Sequence, residues 1–517
     1  MLLNHLVILP ILIPFAGGTV ALIFKRRART QAWLAMGIMT VALVCSAWLL
    51  TLVWRGGQPV VLQVGGWRAP FGITLVADLL SAVFVLMSQF VLVMGVLYAA
   101  GSKDSCVKYP TFFPLFLFLA TGLTGGLLTG DIFNLFVFVE LLAISSTVLT
   151  AISDDRFGTE AAYKYFYMSQ LAAFLLLLSI GSLYVSCGTL NMAQLAEVIA
   201  DDPQKSLLPV AAAFLMASFM IKSATFPFHF WQPDFHTAAP TPVSAMLSSV
   251  VVKLGVYGFI RMTTLLFVDY TFQMQHTLIV LGVAGICFGG IAAIGTHNVK
   301  RMLAYSTLAQ VGFVLVGIGW GTPLALTAAL VFAFNHSIAK SAMLMLAGFV
   351  ASRASVKSAA FDIVTGVGKQ LPFAGVLFFI GGLGLAGIPP TNGFISKMLL
   401  FNSGLEADQV WALLLIGLAS TLTMIYTIRA FMRIWWKSPA EGISAKPTGD
   451  LLYAPLLLVI MILVLGIFAE PLVALSRELC AGWPIRKYIF KRFWEVDLYA
   501  YDYSNYRFDL YLFGVVG

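Results

Sequence analysis

Apolar stretches of about twenty residues recur from one end of this chain to the other, and few folds can hold so many. Hydropathy places fourteen, at roughly 4–24, 31–54, 75–99, 111–129, 131–152, 161–187, 207–236, 240–267, 276–296, 299–319, 323–350, 371–401, 409–436 and 451–475. A helix needs about 20 apolar residues to cross a bilayer core. Lipid supplies no hydrogen-bond partners, so a spanning segment must satisfy its own backbone, and runs of this length do so as helices. Only 10% of the residues are charged and 60% are hydrophobic, whereas a soluble domain is about 25% charged. That excludes a solution enzyme. The expected fold is an all-α polytopic membrane protein with about fourteen transmembrane helices. The first run has no charged n-region before it, and Lys25, Arg26, Arg27 and Arg29 follow it. It therefore reads as a retained span and not as a signal peptide.

Two spans are long and interrupted. The seventh carries Pro227 and Pro233; the twelfth carries Gly384, Gly387, Pro389, Pro390 and Gly393. Proline removes a backbone donor and clashes with the preceding turn. A broken helix at membrane depth is tolerated where protein or a wet cavity receives the freed backbone. Breaks at corresponding places in two halves point to inverted repeats, here spans 4–8 and 9–13. The expected division is an N-terminal three-helix segment (1–110), a first repeat (111–267), a second repeat (276–436), helix 14 (451–475) and an interfacial tail (476–517) anchored by Trp483, Trp494 and tyrosines.

Basic residues set the orientation. With the N-terminus outward, odd-numbered loops hold sixteen Lys and Arg, while even-numbered loops hold four: Arg55, Arg68, Lys205 and Arg261. Cytoplasmic loops carry the excess, so the chain is expected in the cell (inner) membrane with its N-terminus outside. The tail adds six outer basic residues that this rule does not favour. A net charge of +8 reflects loop topology here and calls for no nucleic-acid partner. The five cysteines are scattered without a CxxC pair, and no cluster, haem or dinucleotide motif is present, so no cofactor or metal is expected.

Five lysines remain inside spans: Lys164, Lys222, Lys253, Lys340 and Lys397. Glu140 is the only acid expected mid-span, since Asp78 and Asp131 lie near helix ends. An ionisable side chain at a helix centre costs roughly 2.5–3.5 kcal/mol on insertion scales. Snorkelling of long stems accounts for Lys164 near a helix start, and can serve Lys340, but not the other three. Desolvation disfavours an ammonium and a nearby carboxylate favours it, so a lysine held between the two can load and unload a proton. The economical arrangement is a Glu140–Lys222 pair, relayed by Lys253, with Lys397 in the equivalent place of the second repeat. His336 and Lys340 share a helical face four residues apart and extend the relay. His229, Asp234 and His236 flank the first break as supporting residues. The two histidines could also bind metal, though no third ligand accompanies them; for His336 the alternative is a satisfied core histidine.

The segment from Lys222 to Arg261, KSATFPFHFWQPDFHTAAPTPVSAMLSSVVVKLGVYGFIR, closely resembles the signature of the antiporter-like subunits shared by respiratory complex I and Mrp-type Na+/H+ antiporters. DLLSAVF at Asp78, AAYKYF at Lys164, NVKRMLAYSTLAQVGF from Asn298, NHSIAK at His336 and GIPPTNGFISK ending at Lys397 match in order, covering roughly 75–435. The resemblance implies fourteen core helices with helices 7 and 12 broken in two inverted repeats. It also implies ionisable positions that fall here on Glu140, Lys222, Lys253 and Lys397. Lysine at position 397, where the middle complex I subunit typically has Glu, favours a resemblance to the D-type chain of Mrp antiporters. The function it implies is proton translocation within a multisubunit Na+/H+ antiporter, with other membrane subunits, protons, Na+ and lipid as partners. Redox-driven complexes (complex I-like or hydrogenase-like) and carbon-uptake complexes use close relatives, and translocase activity would then depend on their redox subunits. Two further readings are a self-sufficient transporter of an organic solute and a purely structural subunit. The first would need solute-shaped groups at the midplane, which a line of single lysines does not supply.

Overall fold

The computed structural model describes residues 2–24, 27–354, 356, 358–438 and 446–481. The expected tail beyond 481, with Trp483 and Trp494, lies outside the described residues, as do Lys25, Arg26 and Lys357. The chain is helical almost throughout. In order run α1 (Leu9–Ala21), α2 (Ala28–Gly56), strands β1 (Val60–Gln63) and β2 (Thr74–Ala77), α3 (Leu79–Ala100), α4 (Phe112–Leu128), α5 (Ile132–Ala151), α6 (Arg156–Cys187), α7 (Met192–Asp201), α8 (Leu208–Lys222) and α9 (Trp231–Ala238). Then come α10 (Thr241–Leu266), α11 (Thr271–Gly295), α12 (Val299–Trp320), α13 (Pro323–Arg353), α14 (Pro372–Ala386), α15 (Asn392–Glu406), α16 (Val410–Phe431), α17 (Tyr453–Ile467) and α18 (Glu470–Ala481).

Among the described residues, nine helices are long and apolar enough to cross a membrane, and two bent pairs raise this to eleven. Leu9–Phe24, Phe112–Leu128 and Leu208–Lys222 are shorter apolar helices. With those three, every one of the fourteen expected spans has its helix, and helices 7 and 12 are broken. Helix 7 is α8 with α9; helix 12 is α14 with α15. Helix starts follow from short polar side chains that accept orphan backbone N–H groups. Asp78 and Ser81 form a reciprocal capping box at α3, Asp131 accepts from Asn134 N at α5, and Asn298 accepts from Lys300 N and Arg301 N at α12.

The two halves carry one backbone clasp twice. Ile132 N–H donates to Leu190 O at 2.9 Å and Met192 N–H to Gly130 O at 2.8 Å; Val299 N–H donates to Ala359 O and Phe361 N–H to His297 O, both at 2.9 Å. Each clasp is an isolated antiparallel bridge, Asp131↔Asn191 and Asn298↔Ala360. Each ties the start of a repeat's second helix to the loop that follows its third. The same local pairing at equivalent chain positions supports the repeat organisation.

Several expectations change. The expected helical fold carries one small addition: β1 and β2 pair antiparallel, Val60 opposite Ala77 through Gln63 opposite Thr74. Four-residue strands are too short to stand out from flanking apolar runs. Span 14 is bent, with Tyr453–Ile467 followed after a 70° turn by Glu470–Ala481, so its helix runs past the expected boundary at 475. Pro233 lies in the first turn of α9, where a missing N–H breaks no helix bond; the break is centred on Pro227.

α10, α12 and α13 are buried along nearly their whole length, whereas α2, α6, α11 and α16 keep broad outward faces. Close packing of α11 on α12 rests on small residues, as expected where lipid gives helices no hydrophobic reason to associate. A Cβ on Gly289 would sit 2.7 Å from Tyr305 O and 2.8 Å from Ala309 N. Both are backbone atoms that cannot rotate aside. Gly289→Leu should therefore destabilise the chain by about 1–3 kcal/mol, read as a lower thermal midpoint in detergent; an unchanged midpoint would contradict this packing.

Candidate functional site

The two broken helices place two lysines in matching settings. Lys222 is the last residue of α8, and Lys397 Nζ donates to the carbonyl of Ala386, the last residue of α14, at 2.8 Å. A half-helix leaves its final carbonyls unpaired and carries partial negative charge there; Lys397 puts its ammonium on such an end, while Lys222 ends α8 and sends its own to Ser169. Pro389 and Pro390 lie in the break before α15, and Gly393 in its first turn.

Around the first break, Lys222 and Glu140 are half-buried and do not form a direct ion pair. Lys222 Nζ reaches Ser169 Oγ at 3.4 Å. Gln170 Nε2 donates to Glu140 Oε2 at 3.0 Å, and Glu140 Oε1 is buried without a partner. Adjacent residues of α6 thus hold the lysine and the carboxylate apart. Lys222, Ser169, Tyr165 and Leu254 line a cavity of about 10 Å³, near the room one water needs. The expected pair is present as a separated one.

The centre is drier. Lys253 is 1% exposed, Lys340 0% and His336 4%. Lys253 Nζ lies 2.5 Å from His336 Nδ1, joining α10 of the first repeat to α13 of the second. The other ring nitrogen, Nε2, has no partner. A second cavity of about 10 Å³ is lined by His336, Gln310, Asn335, Ser396 and Lys397. Lys253 thus contacts His336, and His336 shares a water-sized cavity with Lys397. Asn335 fixes its floor, donating to Asn392 O at 3.1 Å and Ser396 Oγ at 2.8 Å. Phe313 lies under the Lys397 ammonium, 5.1 Å from ring centroid to Nζ. Lys340, one turn from His336, turns elsewhere: it donates to Leu303 O at 3.1 Å and Ser306 Oγ at 2.8 Å, and Tyr426 donates to the same Ser306 at 2.7 Å. No ion pair joins Lys222, Lys253, Lys340 or Lys397 to a carboxylate among the described residues.

Lys164 is not buried. Its side chain is 43% exposed and pairs with Glu160 and Asp234, each at 2.7 Å. Asp234 also pairs with Arg301 at 3.0 Å, so it ties α9 to both α6 and α12. His236 is buried with Nδ1 3.1 Å from Ser244 Oγ and Nε2 free of partners. His229 packs its ring on Phe226 and Phe288. Neither histidine hydrogen-bonds to Lys222, Lys253, Lys340 or Lys397, and the described residues hold no cluster of three metal-type ligands.

The largest departure from the sequence reading is Arg261, whose charge suggests an outer loop. It lies inside α10, 7% exposed, and forks onto Asp78 with NH1 2.6 Å from Oδ2 and NH2 2.7 Å from Oδ1. Its Nε donates to Tyr257 OH at 2.9 Å, which donates to Leu127 O at 2.9 Å. A full fork of this kind satisfies the guanidinium without water. The available signal is spacing: Lys253, Tyr257 and Arg261 recur every four residues on one helical face.

Residues 129–423 match the NADH:quinone oxidoreductase/Mrp antiporter transmembrane family. The chain belongs to this family. Among its relatives, the D-type Na(+)/H(+) antiporter chain of Alkalihalophilus pseudofirmus is 33% identical over 482 residues, 92% of this chain and 96% of that one. The N-type NADH-quinone oxidoreductase chain of Desulforudis audaxviator is 32% identical over 500 residues, 93% of this chain and 99% of that one. A chain of the Mrp complex from Dietzia sp. DQ12-45-1b shares the fold, with a TM-score of 0.87 at 24% identity over 95% of this chain and 99% of that one. A chain of the membrane-bound sulfane sulfur reductase, an archaeal respiratory membrane complex, superimposes with a TM-score of 0.84 at 29% identity, covering 94% and 98%. These structural neighbours all belong to multisubunit membrane complexes.

The Asp78–Arg261 fork makes a stability prediction. Asp78→Ala strands a buried guanidinium and should cost about 3–5 kcal/mol. Asp78→Ala combined with Arg261→Leu should recover most of that loss in the thermal midpoint. Equal loss in the single and double variants would show that the pair does not act as a unit.

Proposed function

We propose that this chain is a D-type antiporter-like component of a multisubunit Na+/H+ antiporter, and that protons cross it by a relay of buried amines and imidazole. The observation that carries the reading is the Lys253–His336 contact opening onto the Lys397 cavity, because it links the two repeats through groups that can each hold and release one proton. Glu140 and Lys222 form the entry pair. A proton arriving at Lys222 feels the Glu140 charge across Gln170 and Ser169, and any change in that separation changes how firmly it is held. Lys253 passes it to His336 at one ring nitrogen while the other faces the cavity, as a neutral imidazole allows. Lys397 is the terminal station, and Lys340, held by Ser306, is a side branch one turn away.

The chain sits in the cell (inner) membrane with its N-terminus outward, so that the β-hairpin end of the bundle faces outside. The sixteen basic residues of the odd-numbered loops support this orientation, although Arg261 leaves the outer set because it is buried. Lys222→Ala should abolish Na+-dependent proton movement in vesicles holding the assembled complex without preventing assembly. Glu140→Gln should alter the pH profile of that movement, since it removes the only carboxylate of the entry pair. Full activity of Lys222→Ala would sink the relay.

A second reading has its own support. The likeness to a NADH-quinone oxidoreductase chain at 32% identity fits a proton-pumping component of a redox-driven complex equally well in fold. Purification from native membranes in mild detergent, with mass spectrometry of all bound chains, separates the two. Small hydrophobic subunits alone support the antiporter; iron–sulfur, flavin or hydrogenase subunits support the pump.

A further inference from the structure

Helices α5, α8 and α10 enclose a groove that holds two cavities in line. The Lys222 cavity is bounded by Val139 of α5, Ile221 of α8, and Val251 and Leu254 of α10. A second cavity, also about 10 Å³, is bounded by Leu135 of α5, Phe219 of α8, and Leu254, Tyr257 and Arg261 of α10. On each helix the second set lies nearer the β-hairpin end. Leu254 is the one side chain that lines both. It is 3% exposed and apolar, so it forms the wall between a space beside Lys222 and a space beside the Tyr257–Arg261–Asp78 cluster.

The cluster at the end of this groove is an odd choice if stability were its purpose. A buried ion pair is often matched or bettered by apolar side chains of the same volume. Apolar packing surrounds it on α10, so a hydrophobic plug was available. What an ion pair adds is two discrete states, closed on its partner or parted and hydrated. We propose that this groove is an aqueous access route to Lys222, entered from the β-hairpin end, with Leu254 as its hydrophobic gate and the Asp78–Arg261 fork as its outer latch. The proposal rests on the reading of Lys222 as a proton-loading site. With the fork closed, Leu254 keeps the two cavities apart and the constriction stays dry, as narrow apolar constrictions do. With the fork parted, a turn of the Leu254 side chain joins them into one water file. A hydronium at its inner end can then give its proton to the Lys222 amine, one O–H bond breaking as one N–H bond forms and water remaining. The entry pair is thereby reached from the β-hairpin face of the membrane.

The test uses the assembled complex in sealed vesicles of either orientation, with the native cysteines Cys45, Cys106, Cys187, Cys287 and Cys480 replaced by Ala and Leu254→Cys introduced. A membrane-impermeant thiosulfonate reports access to that thiol from each side. With the fork intact, labelling should be slow from both sides. Adding Asp78→Asn with Arg261→Gln, which keeps hydrogen-bonding groups but removes the charges, should speed labelling at least roughly tenfold from the β-hairpin side only. Arg261→Lys, which retains the charge, should leave labelling slow. A rate unaffected by the paired neutral substitutions, or faster only from the opposite side, overturns the proposal. Thiol access does not depend on antiport, so failure of the route and failure of the antiporter reading give different results.

Discussion

Burying ammonium groups where almost no carboxylate can meet them is the constraint on which the rest of this structure depends. Removing an ion from water costs several kcal/mol even after relaxation, and Lys253, Lys340 and Lys397 are all nearly inaccessible. The protein answers with oxygen dipoles. Ala386 O holds Lys397, Leu303 O and Ser306 Oγ hold Lys340, and Ser169 Oγ lies beside Lys222. Neutral acceptors stabilise a charge less firmly than a carboxylate does, which suits the proposed relay. Where a charge is held and not passed on, the chain does the opposite: Arg261, in the closed fork, has both oxygens of Asp78.

The broken helices follow from the same need. Carbonyls within an intact span are already bonded four residues on, whereas those at a helix end are not. Stopping α14 at Ala386 leaves a carbonyl that takes the Lys397 ammonium. The freed segments are then held by side chains, as when Asn335 reaches Asn392 O and Ser396. The repeated clasp at Asp131–Asn191 and Asn298–Ala360 fixes the start of the second helix in each half, and so the frame around each break. Between the halves, the Lys253–His336 contact is where the two frames meet.

Much of this is legible in the residues. Apolar run length is a strong signal because lipid enforces it, so every expected span has a helix, and the two Pro- and Gly-rich interruptions are real breaks. Lys222, Lys253, His336 and Lys397 stand out because a charge inside an apolar run has few bland explanations. The rest depends on distance across helices, which spacing does not report. Nothing in the chain says that Ser169 and Gln170 hold Glu140 away from Lys222, or that Lys340 turns from His336 toward Ser306. Charge near a span end usually lies in a loop, which is why the sequence points Arg261 there; only the position of Asp78 on another helix makes its burial tolerable. Lys164 departs in the other direction: α6 starts at Arg156, and its pairing with Asp234 lies beyond the reach of any local pattern.

The central claim is that one proton route crosses both repeats through Lys253. The most direct measurement is Na+-driven proton flux in vesicles holding the assembled complex, compared between the native chain and Lys253→Met, which keeps a flexible apolar stem of similar reach. The account predicts loss of flux with the full set of subunits still bound. Undiminished flux from an intact Lys253→Met complex would contradict it.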